Sequence, residues 1–348
     1  MDASPVALAQ GEQQRLAVKI IRTNDVELIE VAYEEYKLLR SIYHDNIVKM
    51  HDAFYNQMKC TMYLVMEMVE GQSITQMLEP PRDGGFDNER NNENLKKPKT
   101  TKFTEDESKY IFMQLLDVID YLSCDEIGIC HRDINPNNIM LDEITELAQS
   151  DENIENKCSD FKENTRQAQA SASAEKRNQP SDFSSQLKQV PGAGGAEAKS
   201  QKFRKYKLTL IDFNVAKRFL DVDSGNPLLM MTNTGTARYQ APEMLGGWMS
   251  RYDQRVDLWS AGAVLYYLLT GGVHAFSAPL QSEIETSILK ANYDQSLPEY
   301  KSISDAAKDL ISGLMTVDPE KRLTVEEAKE HPWFTTASTP TGATSFYQ

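Results

Sequence analysis

Three short segments carry side chains of the kinds that phosphoryl transfer requires. That chemistry takes cations on the phosphates, carboxylate and amide oxygens on magnesium, and a group that orients the attacking hydroxyl. HRDINPNNI (131–139) sets the carboxylate of Asp133 five residues ahead of the amide of Asn138. IDFN (211–214) adds a second carboxylate, Asp212, and AVKI (17–20) adds a cation, Lys19. Glu35 lies nine residues before His44 on a segment with helical spacing. Taken singly, each has an ordinary reading: Lys19 as a snorkelling surface lysine, Glu35 as a solvated helix charge, HRDINPNNI as a polar turn. Only their joint order points to chemistry.

These residues need elements to hold them. LAVKII (16–21) and TMYLVMEM (61–68) are short apolar and β-branched runs suited to buried strands. Between them, about 25–43, Val31, Glu35, Leu38, Leu39 and Ile42 recur at helical spacing, predicting a stripe that packs on the sheet. Thr104 and Glu107 form a capping-box pattern ahead of Ile111, Leu115, Val118 and Leu122, one face of an amphipathic helix. KLTLIDF (207–213) reads as a strand, 256–270 as a buried helix, and about 304–316 and 324–330 as further helices. Residues 80–102 are polar and rich in Asn, Gly, Pro and Lys, an exposed loop. Residues 144–205 are dominated by small and polar types, with too few large apolar side chains to offset the entropy of ordering, and are expected to be disordered. Strands early and helices late predict an α+β fold with a small sheet-containing lobe, 1–69, and a larger helical lobe, 70–334. Residues 335–348 are expected to form a flexible tail, and the cleft between the lobes to be the ligand site.

Composition limits the classes of function. The 348 residues carry 37 Lys and Arg against 52 Asp and Glu, a formal charge of -15, which disfavours nucleic acid and anionic membrane surfaces as partners. Cys60, Cys124, Cys130 and Cys158 lack metal-ligand spacing, and MDASPVALAQ has no signal-peptide pattern, so an intracellular, cytoplasmic protein with reduced thiols is expected. The apolar stretch 256–270 is short for a membrane span and contains Asp257. A monomer is the default.

Taken together, the motifs resemble those of the eukaryotic protein kinase family, serine/threonine type, in the family's order over residues 6–334. The resemblance implies ATP and Mg2+ as cofactors, protein substrates with Ser or Thr acceptors, and transfer of the γ-phosphate. It implies that Lys19 contacts the α and β phosphates and is held by Glu35, that Asp133 accepts or orients the substrate hydroxyl, and that Asn138 and Asp212 are magnesium ligands. Val6 and Ala17 would sandwich the adenine, with Met140 also in the nucleotide site, Met66 as gatekeeper and Glu67 and Met68 in the hinge. A stack of Leu39, Met50, His131 and Phe213, tied to the core by Asp257, is implied. So are a Thr236 near Asp133 in GTARYQAPE (235–243) and a structural pair between Glu243 and Arg322. Arg132 and Lys217 could neutralise a phosphate on the activation segment, at Thr232. The run 304–334 is similar to the calcium/calmodulin-dependent kinase group, although there is no EF-hand pattern and the tail does not support calmodulin as a partner.

The sequence departs from the family at several points. Only Gly11 precedes Lys19, so the first strand and the glycine-rich phosphate lid are expected to be missing, by truncation or by nature. Asn135 stands where a lysine usually lies near the γ-phosphate, which predicts slow catalysis, and Asn214 replaces the glycine after Phe213 while tolerating a left-handed backbone. Asn137 and Ser73 replace acids associated with basic substrates. An alternative reading is a non-catalytic kinase-like binding module, a pseudokinase, and a scaffold role for 144–205 is compatible with either.

Overall fold

The computed structural model describes residues 15–79, 102–144, 204–220, 235–245 and 253–336. The chain divides into one unit of residues 1–143 and 205–348 and a second of residues 144–204. Val6, Thr232, Cys158, nearly all of both predicted inserts and residues 337–348 lie outside the described residues.

Strands β1 (Leu16–Arg22), β2 (Met50–Asn56) and β3 (Thr61–Glu67) form an antiparallel sheet in the order β1-β3-β2, with Lys19 opposite Leu64 and Ala17 opposite Met66. Helix α1 (Val26–Arg40) starts at Asp25, whose side chain accepts from the Glu27 N–H, and it carries Lys37 and Arg40 in its last turn, where the helix dipole favours cations. Its buried face is Ala32, Glu35 and Leu39, with Leu38 and Ile42 half-buried, whereas Val31, expected in the stripe, is 45% exposed. The apolar stripe is therefore one residue round from the predicted one, and Ala32 supplies the close approach. β1 also differs from expectation. Leu16, Val18 and Ile20 are exposed while Ala17, Lys19 and Ile21 are half-buried, because α1 packs on the opposite face.

The helical lobe opens with β4 (Gln72–Ser73) and the short α2 (Ile74–Leu78). Ser73 is buried as the N-cap of α2 in a reciprocal capping box with Gln76, so its hydroxyl works for the helix and offers no substrate-facing surface. α3 (Glu105–Ser123) begins with the predicted capping box of Thr104 and Glu107 and buries Ile111, Leu115, Val118 and Leu122. α4 (Arg255–Leu269) is buried at every residue from Val256 to Leu269, which is why its sequence lacks a polar face. α5 (Gln281–Leu289), α6 (Asp305–Leu314) and α7 (Val325–Lys329) follow, with α6 packed on α4 and α7 on α3.

Short strands fix the loops that carry the motifs. β5 (Ile129–Cys130) enters HRDINPNNI and β6 (Ile139–Ile144) leaves it. β7 (Lys205–Leu210) leads directly into IDFN, and β8 (Lys217–Arg218) returns to pair antiparallel with β5. Gln114 on α3 braces β7: its Oε1 accepts from the Leu208 N–H at 3.0 Å and its Nε2 donates to the Tyr206 carbonyl at 2.8 Å. Asn46 completes the brace by donating to Gln114 Oε1 and to the Leu208 carbonyl.

Glu243, in the one-turn helix Pro242–Leu245, is held by both guanidinium nitrogens of Arg322 at 2.7 and 2.9 Å. The Arg322 side chain is 0% exposed and also donates to the Thr316 and Arg255 carbonyls, so four of its five N–H donors are engaged. Removing one member of such a pair strands a buried charge, and Glu243→Ala is expected to lower stability by about 3–5 kcal/mol. Urea denaturation would read this as a lower midpoint with an unchanged slope, and Glu243→Gln should lose less.

Candidate active site

A cation in the sheet lobe meets carboxylates from two separate elements. Lys19 Nζ lies 3.0 and 2.9 Å from the two carboxylate oxygens of Glu35 on α1, and 2.8 Å from Asp212 Oδ1 just past β7. Burial alone would lower the Lys19 pKa, but Glu35 and Asp212 outweigh it and hold the ammonium above its ordinary value. Burial pushes the Glu35 carboxyl up and Lys19 pulls it back. With three ammonium–carboxylate contacts, Lys19 stays charged in the neutral range.

Beside this clasp, the HRDINPNNI segment is knitted around Asp133. The Thr236 N–H donates to Asp133 Oδ1 at 2.7 Å, and Asn138 Nδ2 donates to Asp133 Oδ2 at 2.9 Å. Each carboxylate oxygen keeps a further lone pair for an incoming hydroxyl. Asn138 also accepts at its carbonyl from the Ile211 N–H at 2.9 Å, which brings it beside the IDFN segment. Since its amide nitrogen is committed to Asp133, Asn138 Oδ1 is the atom left for a cation.

Two non-glycine residues of this region adopt left-handed backbone angles, Arg132 at φ 65 and Asp212 at φ 62. Each costs on the order of 1–2 kcal/mol and persists only where neighbours hold it. Arg132 is held by its own N–H, which donates to Asp257 Oδ1 at 2.8 Å, and by its guanidinium on the Val215 carbonyl. The His131 N–H donates to Asp257 Oδ2 at 2.7 Å. Asp257 is buried on α4, and burial pushes its carboxyl up while His131 and these two amides hold it down. The left-handed turn of IDFN falls on Asp212; Asn214 is not among the positive-φ residues, and its side chain is exposed. Phe213 meets the His131 ring edge-on at 4.5 Å, and Leu39, Met50, His131 and Phe213 are all buried.

The remaining predicted residues divide clearly. Ala17 and Met66 face each other across β1 and β3, half-buried, and Met140 is half-buried in β6 opposite Ser73. Glu67 accepts at its carboxylate from the Lys49 N–H at 2.9 Å, and Met68 is 50% exposed with its N–H on the Arg15 carbonyl. Asn135 is buried: its Nδ2 donates to the Asp133 carbonyl and to Thr236 Oγ1, and its Oδ1 accepts from the Asn137 N–H. In this geometry the side chain braces the loop and ties it to Thr236. Arg132 and Lys217 line an open recess of about 690 Å³ together with Lys37 and Arg218 and the carboxylates of Glu27, Glu30, Glu34 and Glu35. Sequence reasoning passes over Gly235, whose φ of +96 lets the chain turn against the Arg132 carbonyl, and over Val215, whose carbonyl anchors Arg132. A glycine one residue ahead of Thr236 is the available signal for the first; a backbone carbonyl leaves none.

The donor set suits magnesium. Asn138 Oδ1 and the Asp212 carboxylate are hard oxygens, and among the described residues no three His, Cys, Asp or Glu side chains gather into a closed metal cage. Two hard oxygens suit a cation that takes one or two protein ligands and fills its shell with phosphate oxygens and water. Among the described residues no helix is long and apolar enough to cross a membrane.

A sheet lobe and a helical lobe joined through Lys19, with a carboxylate loop anchored to a buried helix, define a phosphotransferase type of site. The chain belongs to the protein kinase domain family, whose description matches residues 5–184 and 199–334. Calcium-dependent protein kinase 3 of Plasmodium yoelii yoelii is 27% identical over 319 residues, covering 91% of this chain and 43% of that protein. The probable serine/threonine-protein kinase fhkC of Dictyostelium discoideum is 28% identical over 326 residues, 92% of this chain and 40% of that protein. The serine/threonine-protein kinase srk1 of Schizosaccharomyces pombe is 27% identical over 309 residues, 88% of this chain and 43% of that protein. The chain thus spans about two-fifths of the length of these relatives.

Asp257→Asn would set an amide donor against one of the two backbone N–H groups that now share the carboxylate. The expected result is a loss of about 2 kcal/mol of stability and faster hydrogen exchange at the His131 and Arg132 amides than at α3 amides, measured by native-state exchange.

Proposed function

We propose that this chain is a protein serine/threonine kinase that uses Mg-ATP to phosphorylate hydroxyl groups of other proteins. The observation that carries the reading is the clasp of Lys19 by Glu35 and Asp212, with Asp133 and Asn138 held on the facing loop. Lys19 presents a permanent positive charge to the nucleotide phosphates, and Glu35 aims it. Asn138 Oδ1 and Asp212 would hold magnesium, which when bound neutralises charge on the transferring phosphoryl group. Asp133, fixed by the Thr236 and Asn138 donors, accepts the hydrogen of the substrate hydroxyl and so points its oxygen at the γ-phosphorus. Ala17, Met66 and Met140 offer the apolar lining for the adenine, and the Glu67 and Met68 backbone borders it.

Phosphate transfer from ATP to a general protein substrate tests the reading. Asp133→Ala is expected to lower kcat by about 10³ or more while ATP still binds, and Lys19→Met to lower kcat/KM by about 10²–10³. Full activity in the Asp133→Ala variant would end it. A phosphate on Thr232, paired with Lys217 and Arg132, is a second proposal; it rests on those two cations and not on the recess as a whole, whose basic side chains are matched by Glu27, Glu30, Glu34 and Glu35. Mass spectrometry of active protein should find phosphate at Thr232; active protein unmodified between 220 and 236 would refute it.

A further inference from the structure

The acceptor end of the site carries a cation, Arg238, that has no ion-pair partner among the described residues. The one-turn helix Ala237–Tyr239 begins directly after Thr236, whose N–H is fixed to Asp133, and the Tyr239 N–H closes it on the Thr236 carbonyl at 2.9 Å. Arg238 lies in that turn, two residues from Thr236, so their Cα atoms are at most about 7 Å apart. The turn is firmly seated. Tyr239 is buried, its hydroxyl bonds His274 Nδ1 at 2.9 Å, and its carbonyl accepts from Ser260 on α4 at 2.7 Å.

Arg238 is half-buried and makes no ion pair or side-chain hydrogen bond among the described residues. By contrast Arg132, Arg218, Arg255 and Arg322 each hold a carbonyl or a carboxylate. The nearby carboxylate, Glu79, accepts from the Tyr267 hydroxyl at 3.2 Å and sits 4.0 Å from His274 Nε2. Burial lowers the His274 pKa, Arg238 adds to the effect and Glu79 opposes it, and Arg238 is the guanidinium of this corner among the described residues. On the loop itself Asn137 is exposed and uncharged, and Asn135 is buried and uncharged. A polypeptide laid across Asp133 therefore passes near a positively charged side chain carried on a seated turn.

We propose that Arg238 selects protein substrates that carry an anionic side chain, a carboxylate or a phosphate, within a few residues of the accepting hydroxyl. Such a group gains an ion pair with a guanidinium that has none among the described residues, whereas a lysine or arginine there meets a like charge. The proposal rests on the kinase reading for its chemistry but not for its recognition site.

The test uses the full chain and short peptides with a single serine flanked by aspartate, phosphoserine, alanine or lysine. Phosphate transfer and equilibrium peptide binding, by fluorescence anisotropy, are measured side by side. Anionic peptides should exceed the alanine peptide by about fivefold in kcat/KM and in affinity, the effect of one modest charge pair. Arg238→Lys should keep the preference, Arg238→Gln should abolish it, and Arg238→Glu should turn it toward the lysine peptide. An advantage for phosphoserine alone identifies a dianion as the selected group; an equal advantage for aspartate identifies simple charge. A preference for lysine peptides, or one that is unchanged in all three variants, overturns the proposal. If no peptide or protein is phosphorylated yet binding still follows the charge at position 238, the kinase reading fails and the recognition site stands. Robust transfer with no dependence on position 238 leaves the kinase reading standing and overturns the recognition site.

Discussion

A single buried carboxylate sets the geometry of the loop that carries Asp133. Asp257 sits on α4, a helix with no solvent face, so its two oxygens must find donors inside the protein. The donors it finds are the consecutive N–H groups of His131 and Arg132. Taking both from adjacent residues bends the chain, and Arg132 sits in the left-handed region as a result. The bend turns the next residue, Asp133, toward Thr236 and Asn138. An anchor on a loosely packed element would leave that carboxylate free to wander; α4 cannot move without opening the core.

The second half of the site is built on the opposite principle. Lys19 is on an outer strand whose far face is exposed, and α1 buries only Ala32, Glu35 and Leu39 fully. Its precision comes from charge: three short contacts to two carboxylates define the position of the ammonium more tightly than the surrounding packing does. The sheet lobe is thus located by electrostatics and the helical lobe by burial. Phe213, edge-on to His131, joins the two, since it belongs to the segment that carries Asp212.

Much of this is legible from residue order. The helices at 105–123 and 255–269 follow from a capping box and from an unbroken apolar run, both local signals. Lys19, Glu35, Asp133, Asn138 and Asp212 are identifiable because their motifs keep fixed spacing. Other features are hidden for physical reasons. The facing of α1 is decided by the sheet, which admits Ala32 and turns Val31 outward. β2, MHDAFYN, mixes polar and apolar residues and shows its strand only when paired with β3. Asn135 stands in sequence as a substitute for a phosphate-facing cation, yet two hydrogen bonds within the loop and one to Thr236 claim it, and no sequence pattern announces where an amide will turn. Asn214 suits a left-handed turn that Asp212 makes instead.

The lysine clasp behaves as a logical conjunction. Its two anionic arms come from segments far apart in sequence, one on α1 and one after β7, and a single ammonium must find both at once. Withdrawing either arm leaves the other mispaired, so the state of one nitrogen atom reports whether two independent parts of the molecule are in register. Information about position is converted there into charge balance, a quantity that a bound polyphosphate can sense.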